Sequence, residues 1–422
     1  MKRTKLAFLL TVIFILSLTS NVFAAEATRP QIYGKAAITM DIDTGEIIYE
    51  NNIDGRYYPA STTKLLTALL LAENKTKSDT LTYTESAKKQ PEYSFYNHYP
   101  KSIDVGVQIS GQDVMDSLLL FSANDIAYMI ADNVSGDSEK FKDLMNERIK
   151  KLGLKNTHFV TPNGLDDNTD DHYTTPYDLS VIGRHAFKND WVREAMAKKT
   201  SKVTTSTGKI FYLDNRNKLV GENGCVGGKT GYTEKAGRCL VAFFDRDGRK
   251  IMGVVMKSVY GANDTEVFDD MKKIIDWSYN AKSVVLYSKD AVVETKTIAY
   301  KPLRFFGPEK TIQVPLAIKE DVKYYDNEVN KKDLSDVKNK IVKIDNLNLW
   351  NLDNSKSIGT FTLNEREAAK SYKLYTTVSK SDIVKANMGL YIGLAAVVIV
   401  IFLVVIFLVL QIKRLTRKRK RY

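Results

Sequence analysis

Cysteine, histidine and proline are all scarce in this chain: two, four and nine residues in 422. Two cysteines cannot staple a small disulfide scaffold. The four histidines, His98, His158, His172 and His185, have no zinc-like spacing, so no metal site is expected. Few prolines, 23 glycines and no internal repeat exclude a collagen-like fibre, and 44% hydrophobic residues exclude a disordered tail protein. The body of the chain also lacks net charge. Of the formal +12, residues 1–24 carry +3 with no acid, residues 413–422 carry +7, and everything between carries +2. A nearly neutral body excludes a duplex-binding surface, so no nucleic-acid partner is expected.

The two ends are basic for reasons of delivery. Lys2, Arg3 and Lys5 precede an uncharged run over 6–18 and the small residues Ala24, Ala25 and Ala27. That order predicts a secretory signal over 1–24, cleaved near Ala24 or Ala25. Residues 390–410 hold no charged or strongly polar side chain. As a helix they rise about 31 Å, close to the hydrocarbon thickness of a bilayer. A span over 390–412 followed by a basic tail over 413–422 places the tail in the cytoplasm. The expected location is the cell membrane, with a single pass and the body on the extracytoplasmic side. In that compartment Cys225 and Cys239 form either a disulfide or two free thiols, and sequence separation leaves both open.

Between the ends, two units are expected. Residues 30–282 alternate strand-like and helix-like patterns. A hairpin is predicted over 36–49 with Asp43-Thr44-Gly45 at its turn. Helices are predicted over 61–73, 138–152, 176–187 and 265–278, and residues 111–136 read as two helices broken at Phe121-Ser122-Ala123-Asn124. Strands over 240–244 and 251–256 flank the turn Asp245-Arg246-Asp247-Gly248. The fold class is mixed α/β, with strands from both ends of the unit sharing one sheet. Residues 283–378 read as a small β domain, since Ile312, Val314, Leu316 and Ile318 alternate with other residues, as do Leu347 and Leu349. It has no cluster of candidate catalytic groups and reads as a spacer or interaction module.

Three motifs carry chemistry. Ser61-Thr62-Thr63-Lys64 opens a Leu-rich helix, where residues three apart share a face and Lys64 reaches the Ser61 hydroxyl. A serine hydroxyl needs such a neighbouring base to become a nucleophile, and a helix N-terminus favours developing negative charge. Ser122-Ala123-Asn124 sits in the break between two helices. Lys229-Thr230-Gly231-Tyr232 lies in a Gly-rich strand, where a glycine lets a ligand backbone come close. Order and spacing match the set shared by penicillin-binding proteins and class A β-lactamases, with Ser-Ala-Asn in place of Ser-Asp-Asn.

On these motifs the chain resembles the low-molecular-weight penicillin-binding proteins, the serine-type D-alanyl-D-alanine carboxypeptidases, over nearly its whole length. Gly164-Leu165-Asp166-Asp167, His172-Tyr173-Thr174-Thr175, Tyr177-Asp178-Leu179 and Glu234-Lys235-Ala236-Gly237 add to the likeness. The resemblance implies a β-lactamase/transpeptidase-like catalytic domain, then the small all-β domain and one C-terminal transmembrane helix. It implies Ser61 as the acylated nucleophile, Lys64 as general base, and Ser122 and Asn124 as proton relays that also hold the substrate amide. Lys229 would supply positive potential and Thr230 would bind the terminal carboxylate, with Gly231 and Tyr232 completing the substrate-binding strand. The N–H groups of Ser61 and Tyr232 would form an oxyanion hole. The implied substrates are peptidoglycan stem peptides, the implied inhibitors β-lactams, and no cofactor is implied; a place in cell-wall synthesis and cell shape follows. Two positions depart from the family pattern. Val226 stands where many relatives carry an acidic or amide residue, and Tyr232 where some carry His. Several relatives lie on the membrane through an amphipathic helix, whereas a true span is predicted here.

Competing readings are a β-lactamase, a D,D-endopeptidase or transpeptidase, and a wall-binding homologue without activity. No Glu-x-x-x-Asn deacylating element follows Ser122, which disfavours the first. Asp166, Asp167, Asp170 and Asp171 lack EF-hand spacing and are expected to form a solvated turn. Tyr93, Phe95, Tyr96 and Tyr99 are expected to pack under a loop.

Overall fold

The strand-like runs at the two ends of the first unit meet in one antiparallel sheet. Its strands are β1 (Ala36–Asp41), β2 (Ile47–Asn51), β3 (Cys225–Thr233), β4 (Gly237–Arg246) and β5 (Arg249–Ser258), in the order β2-β1-β5-β4-β3. β1 pairs with β5 from Ala36 opposite Met256 to Asp41 opposite Ile251, so the N-terminal hairpin is closed onto the last strand. The computed structural model describes residues 28–91, 94, 103–166, 169–345 and 347–419. The expected signal at 1–24, the stretch Tyr93, Phe95, Tyr96 and Tyr99, and Asp167 lie outside them. The chain divides into two compact units at the Lys282–Ser283 bond.

Helices α1 (Lys64–Asn74), α2 (Asn124–Ser135), α3 (Pro176–Lys188) and α4 (Glu266–Asn280) complete the first unit around the site. Successive residues of a strand face opposite sides, and β5 shows which helix covers which. The Met252 side chain fills the space beside Gly183 of α3, while Gly253 leaves room for Met271 and Ile275 of α4. Covered on both faces, β4 carries an unbroken buried run from Cys239 to Phe244 rather than an alternating one. Leu65 to Leu71 of α1 are buried all round, as expected of a helix enclosed by protein.

Strand register also decides the thiol question. Cys225 pairs with Phe244 and Cys239 with Gly231, at opposite ends of the β3–β4 ladder. Five residues of strand separate them, about 17 Å, far beyond disulfide reach. Both are free and buried. Burial raises both thiol pKa values, that of Cys239 to about 12, so neither is a reactive thiolate.

The second unit holds β6 (Val292–Tyr300), β7 (Lys310–Ile318), β8 (Lys340–Ile344), β9 (Gly359–Glu365) and β10 (Ala368–Thr376), in the order β6-β7-β10-β9-β8. Val314, Leu316, Ile318, Phe361, Leu363 and Leu374 form its core, together with Leu334 from a short helix, Glu328–Ser335, that composition did not signal. Leu347 and Leu349 are not in a strand. The Asn348 side chain accepts from Trp350 N and starts a 3-10 turn there, a local capping bond that outcompetes a two-residue alternation. The last helix, α5 (Met388–Arg419), is long and apolar enough to cross a bilayer over Met388–Arg417, and its apolar stretch has no buried part.

Candidate active site

Ser61 does not sit in the first turn of an α-helix. Ala60–Thr63 is a 3-10 turn entered through Ala60 at φ +47°, and Lys64 is the first residue of α1. Side chains three apart eclipse in a 3-10 turn, which aligns Ser61 and Lys64 more directly than an α-turn would. Lys64 Nζ lies 2.8 Å from Ser61 Oγ. It also donates to Asn124 Oδ1 at 2.7 Å and to the Asn163 carbonyl at 2.8 Å.

Those three partners bear on protonation. Two are oxygens that only accept, and the third is a hydroxyl that can donate. A neutral amine gives its two hydrogens to Asn124 and Asn163 and turns its lone pair toward the Ser61 hydroxyl. Electrostatics favours the same state. Lys64 has no exposed surface, and burial lowers its pKa well below that of an ordinary lysine; the positive charge of Arg216 lowers it further and Asp125 partly opposes.

Ser122 is placed by a break in the helix. A π turn, Ser117–Phe121, follows a short α-helix and ends at Ser122, whose backbone is left-handed at φ +70°. A non-glycine residue held there costs about 1–2 kcal/mol. The conformation stops the helix and leaves Ser122 Oγ 2.8 Å from Lys229 Nζ, which donates to it and to the Thr230 carbonyl at 2.9 Å. Lys229 is fully enclosed; burial depresses its pKa as well, reinforced by Lys64, Arg216 and Arg238.

β3 closes the site. A Cβ built on Gly231 would lie 3.0 Å from Pro59 O, Ser61 N and Thr62 N, so the strand runs against the Ser61 turn with only hydrogen between them. Gly231→Ala is expected to part strand and turn and slow acylation by a fluorescent penicillin about 10²-fold, with near-normal thermal unfolding; an unchanged rate would disprove the close fit.

The structure thus brings Ser61, Lys64, Ser122, Asn124, Lys229, Thr230, Gly231 and Tyr232 together. The D-alanyl-D-alanine carboxypeptidase family matches residues 23–259. The chain belongs to this family. It is 31% identical over 287 residues to the D-alanyl-D-alanine carboxypeptidase DacA of Haemophilus influenzae, covering 66% of this chain and 70% of that one. To DacF of Bacillus subtilis it is 27% identical over 377 residues, covering 86% and 90%. Among solved structures, a point mutant of the Streptomyces K15 DD-transpeptidase aligns at 29% identity and TM-score 0.53, over 60% of this chain and all of that one. Penicillin-binding protein D2 of Listeria monocytogenes in its ampicillin-bound form aligns at 28% and 0.52, over 60% and 99%. The fold is that of penicillin-binding proteins and DD-transpeptidases, and the chain is a serine-type carboxypeptidase of that class.

Sequence reasoning missed three residues of this carboxypeptidase cleft. Arg216, Arg238 and Tyr260 line it with Ser61, Ser122, Thr230 and Tyr232. Arg238 faces Tyr232 across the β3–β4 hairpin, so strand pairing was the available signal. Its guanidinium lies 4.5 Å from the Tyr260 ring centre and 5.3 Å from that of Tyr232, and it pairs with Asp264. The two rings stack with centres 4.7 Å apart. Arg216 follows a strand, Ile210–Asp214, with no motif around it. Its guanidinium sits 4.7 Å from the Phe121 ring centre, beside the Ser122 turn.

The acidic loop departs from expectation at one residue. Asp166 is buried, and its carboxylate accepts from Thr233 Oγ1 at 2.9 Å, tying the loop to β3. Asp170 is exposed as expected; it pairs with Lys235 at 3.0 Å and accepts from Tyr58.

Behind Ser61, His172 is buried and holds the 3-10 turn. Its Nδ1 accepts from Val160 N at 2.9 Å, which leaves the proton on Nε2, 3.0 Å from Thr63 Oγ1; that hydroxyl donates to Ala60 O at 2.8 Å. Burial lowers the His172 pKa to about 3, against about 6.5 in an unfolded chain. Between those values the unfolded state binds more protons, so stability is full above about pH 6.5 and is lost as pH falls toward 3. The slope approaches about 1.4 kcal/mol per pH unit. Urea midpoints of the detergent-solubilised chain at pH 7 and 5 should differ more in the wild type than in His172→Gln, and equal differences would count against this role.

Proposed function

We propose that this chain is a membrane-held enzyme that removes the terminal D-alanine from peptidoglycan stem pentapeptides through an acyl-enzyme on Ser61. The observation that carries the reading is the contact between Ser61 Oγ and Lys64 Nζ at 2.8 Å, with the other two Lys64 partners both acceptors. Lys64, neutral, takes the hydroxyl proton while Oγ attacks the carbonyl of the penultimate D-alanine. The oxyanion is met by the N–H groups of Ser61 and Tyr232, each worth about 2.7–4 kcal/mol in comparable sites. Ser122, bonded to Lys229, relays that proton from Lys64 to the departing amine, so the C–N bond breaks and Lys64 is neutral once more. Water then attacks the ester with Lys64 again as base, freeing Ser61 and the shortened peptide. Thr230, Arg216 and Arg238 receive the substrate's terminal carboxylate, and Asn124 keeps Lys64 aimed. A β-lactam presents the same carbonyl and acylates the same oxygen.

The same proposal places the enzyme on the outer side of the membrane. Its support is the length of α5, the basic residues at its C-terminal end (Lys413, Arg414 and Arg417 among them) and the basic-then-apolar start of the chain. Incubating the purified protein with a stem pentapeptide should give a tetrapeptide and free D-alanine by mass. A likeness to a DD-transpeptidase keeps one second reading in play: with an acceptor amine present, a cross-linked product in place of the tetrapeptide would mark transfer rather than hydrolysis.

A further inference from the structure

The hairpin loop between β6 and β7 carries two large apolar side chains that no described part of the protein covers. Phe305 and Phe306 are 76% and 74% exposed. The loop is shaped to hold them out. Arg304 at φ +66° and Gly307 at φ +96° reverse the chain, and Leu303 bridges to Phe306 across the tip. Neither ring belongs to the core of the second unit.

The loop's position tells what covers it. Three hydrogen bonds fasten its two ends to the start of α5. Tyr391 OH donates to the Pro302 carbonyl at 2.7 Å, Asn387 Nδ2 donates to Tyr300 OH at 2.8 Å, and Lys310 Nζ donates to Asn387 Oδ1 at 3.0 Å. From Tyr391 onward the helix is apolar until Lys413, apart from Gln411. The two phenylalanines are therefore held at the level where the helix would enter lipid. Aromatic rings favour that interfacial layer. Between 301 and 310 the loop also carries Lys301, Arg304 and Lys310 against a single acid, Glu309, which suits phosphate headgroups.

We propose that this loop is a second membrane contact, which lays Phe305 and Phe306 into the interfacial layer of the bilayer beside α5. The proposal rests on the reading of α5 as a span. A single helix lets the unit above it rotate about the helix axis. A second contact, fastened to the helix by the bonds above, removes that freedom and fixes which side of the second unit faces the lipid.

The test uses the full chain in vesicles of phosphatidylcholine and phosphatidylglycerol. An environment-sensitive fluorophore is attached at Phe306→Cys, at Val398→Cys inside α5, or at Val337→Cys, which is 78% exposed elsewhere on the unit. Both native thiols are buried, so the introduced cysteine takes the label. The label at 306 should be blue-shifted and quenched several-fold more by a shallow lipid-borne spin label than by aqueous iodide. That at 398 should respond to a deep spin label and that at 337 to iodide alone. Iodide quenching at 306 with lipid quenching at 398 would overturn the loop contact and leave the span standing. Shielding of 306 from both quenchers would overturn it in favour of a protein contact, and lipid quenching at 337 equal to that at 306 would remove the loop's special place. Insensitivity of 398 to lipid would overturn the span, and the loop contact with it.

Discussion

Ser61→Ala is expected to abolish release of D-alanine and labelling by a fluorescent penicillin together, each by about 10⁴-fold or more. Both reactions need the same attacking oxygen, and among the described cleft residues only Ser61 lies beside a buried amine whose two other partners are both acceptors. Ser122 is the nearest rival, but its hydroxyl faces Lys229, whose second hydrogen bond goes to the Thr230 carbonyl. The variant should fold normally, because Ser61 is only partly buried and its contact is to Lys64. Gel labelling, a pentapeptide assay by mass and a melting curve together decide it. Undiminished labelling in a folded variant would move the nucleophile elsewhere and sink the mechanism.

Lys64 gives the second large effect, and its signature is a pH profile. Burial and Arg216 hold the amine's pKa well below that of a free lysine, so the base form is reached at a lower pH than for an exposed lysine. Acylation should rise with pH through that lowered pKa and fade on the acid side, where the amine protonates and can no longer accept from Ser61. Lys64→Met removes the base and should cost about 10²–10⁴-fold in acylation rate. Lys64→Arg should be as slow, because a guanidinium keeps its charge at every accessible pH, and its residual rate should lose the acid limb. A Lys64→Met protein that keeps the wild-type rate and profile would exclude Lys64 as base.

How much of the site could be read without coordinates depended on distance along the chain. Ser61 and Lys64 are three residues apart, and any helical turn brings them together; the 3-10 geometry only sharpened the alignment. Ser122 was legible as a break between helices, although its left-handed backbone and the π turn before it were not. Arg216 and Arg238 were invisible because neither lies in a repeating pattern, and only the pairing of β3 with β4 sets Arg238 opposite Tyr232. Asp166 was misjudged because four aspartates in six residues read as a solvated turn, whereas one of them is drawn inward by the Thr233 hydroxyl. Leu347 and Leu349 mimicked a strand over too short a stretch to outweigh one capping asparagine.

The sequence by itself determined the three motifs, their order, the mixed α/β class and an apolar segment long enough to span a bilayer. Each is a property of composition or of neighbours within a turn or two, where periodicity and helix rise apply directly. Tertiary structure decided what those motifs can do. Lys64 meets Asn124 across 60 residues of chain and Lys229 meets Ser122 across 107, and no local pattern encodes such encounters. Those contacts bury both amines, and burial in a low-dielectric cleft is what turns a lysine into a base. The same holds for the thiols, parted by strand register, and for Phe305 and Phe306, whose place beside α5 depends on three hydrogen bonds between segments more than 70 residues apart.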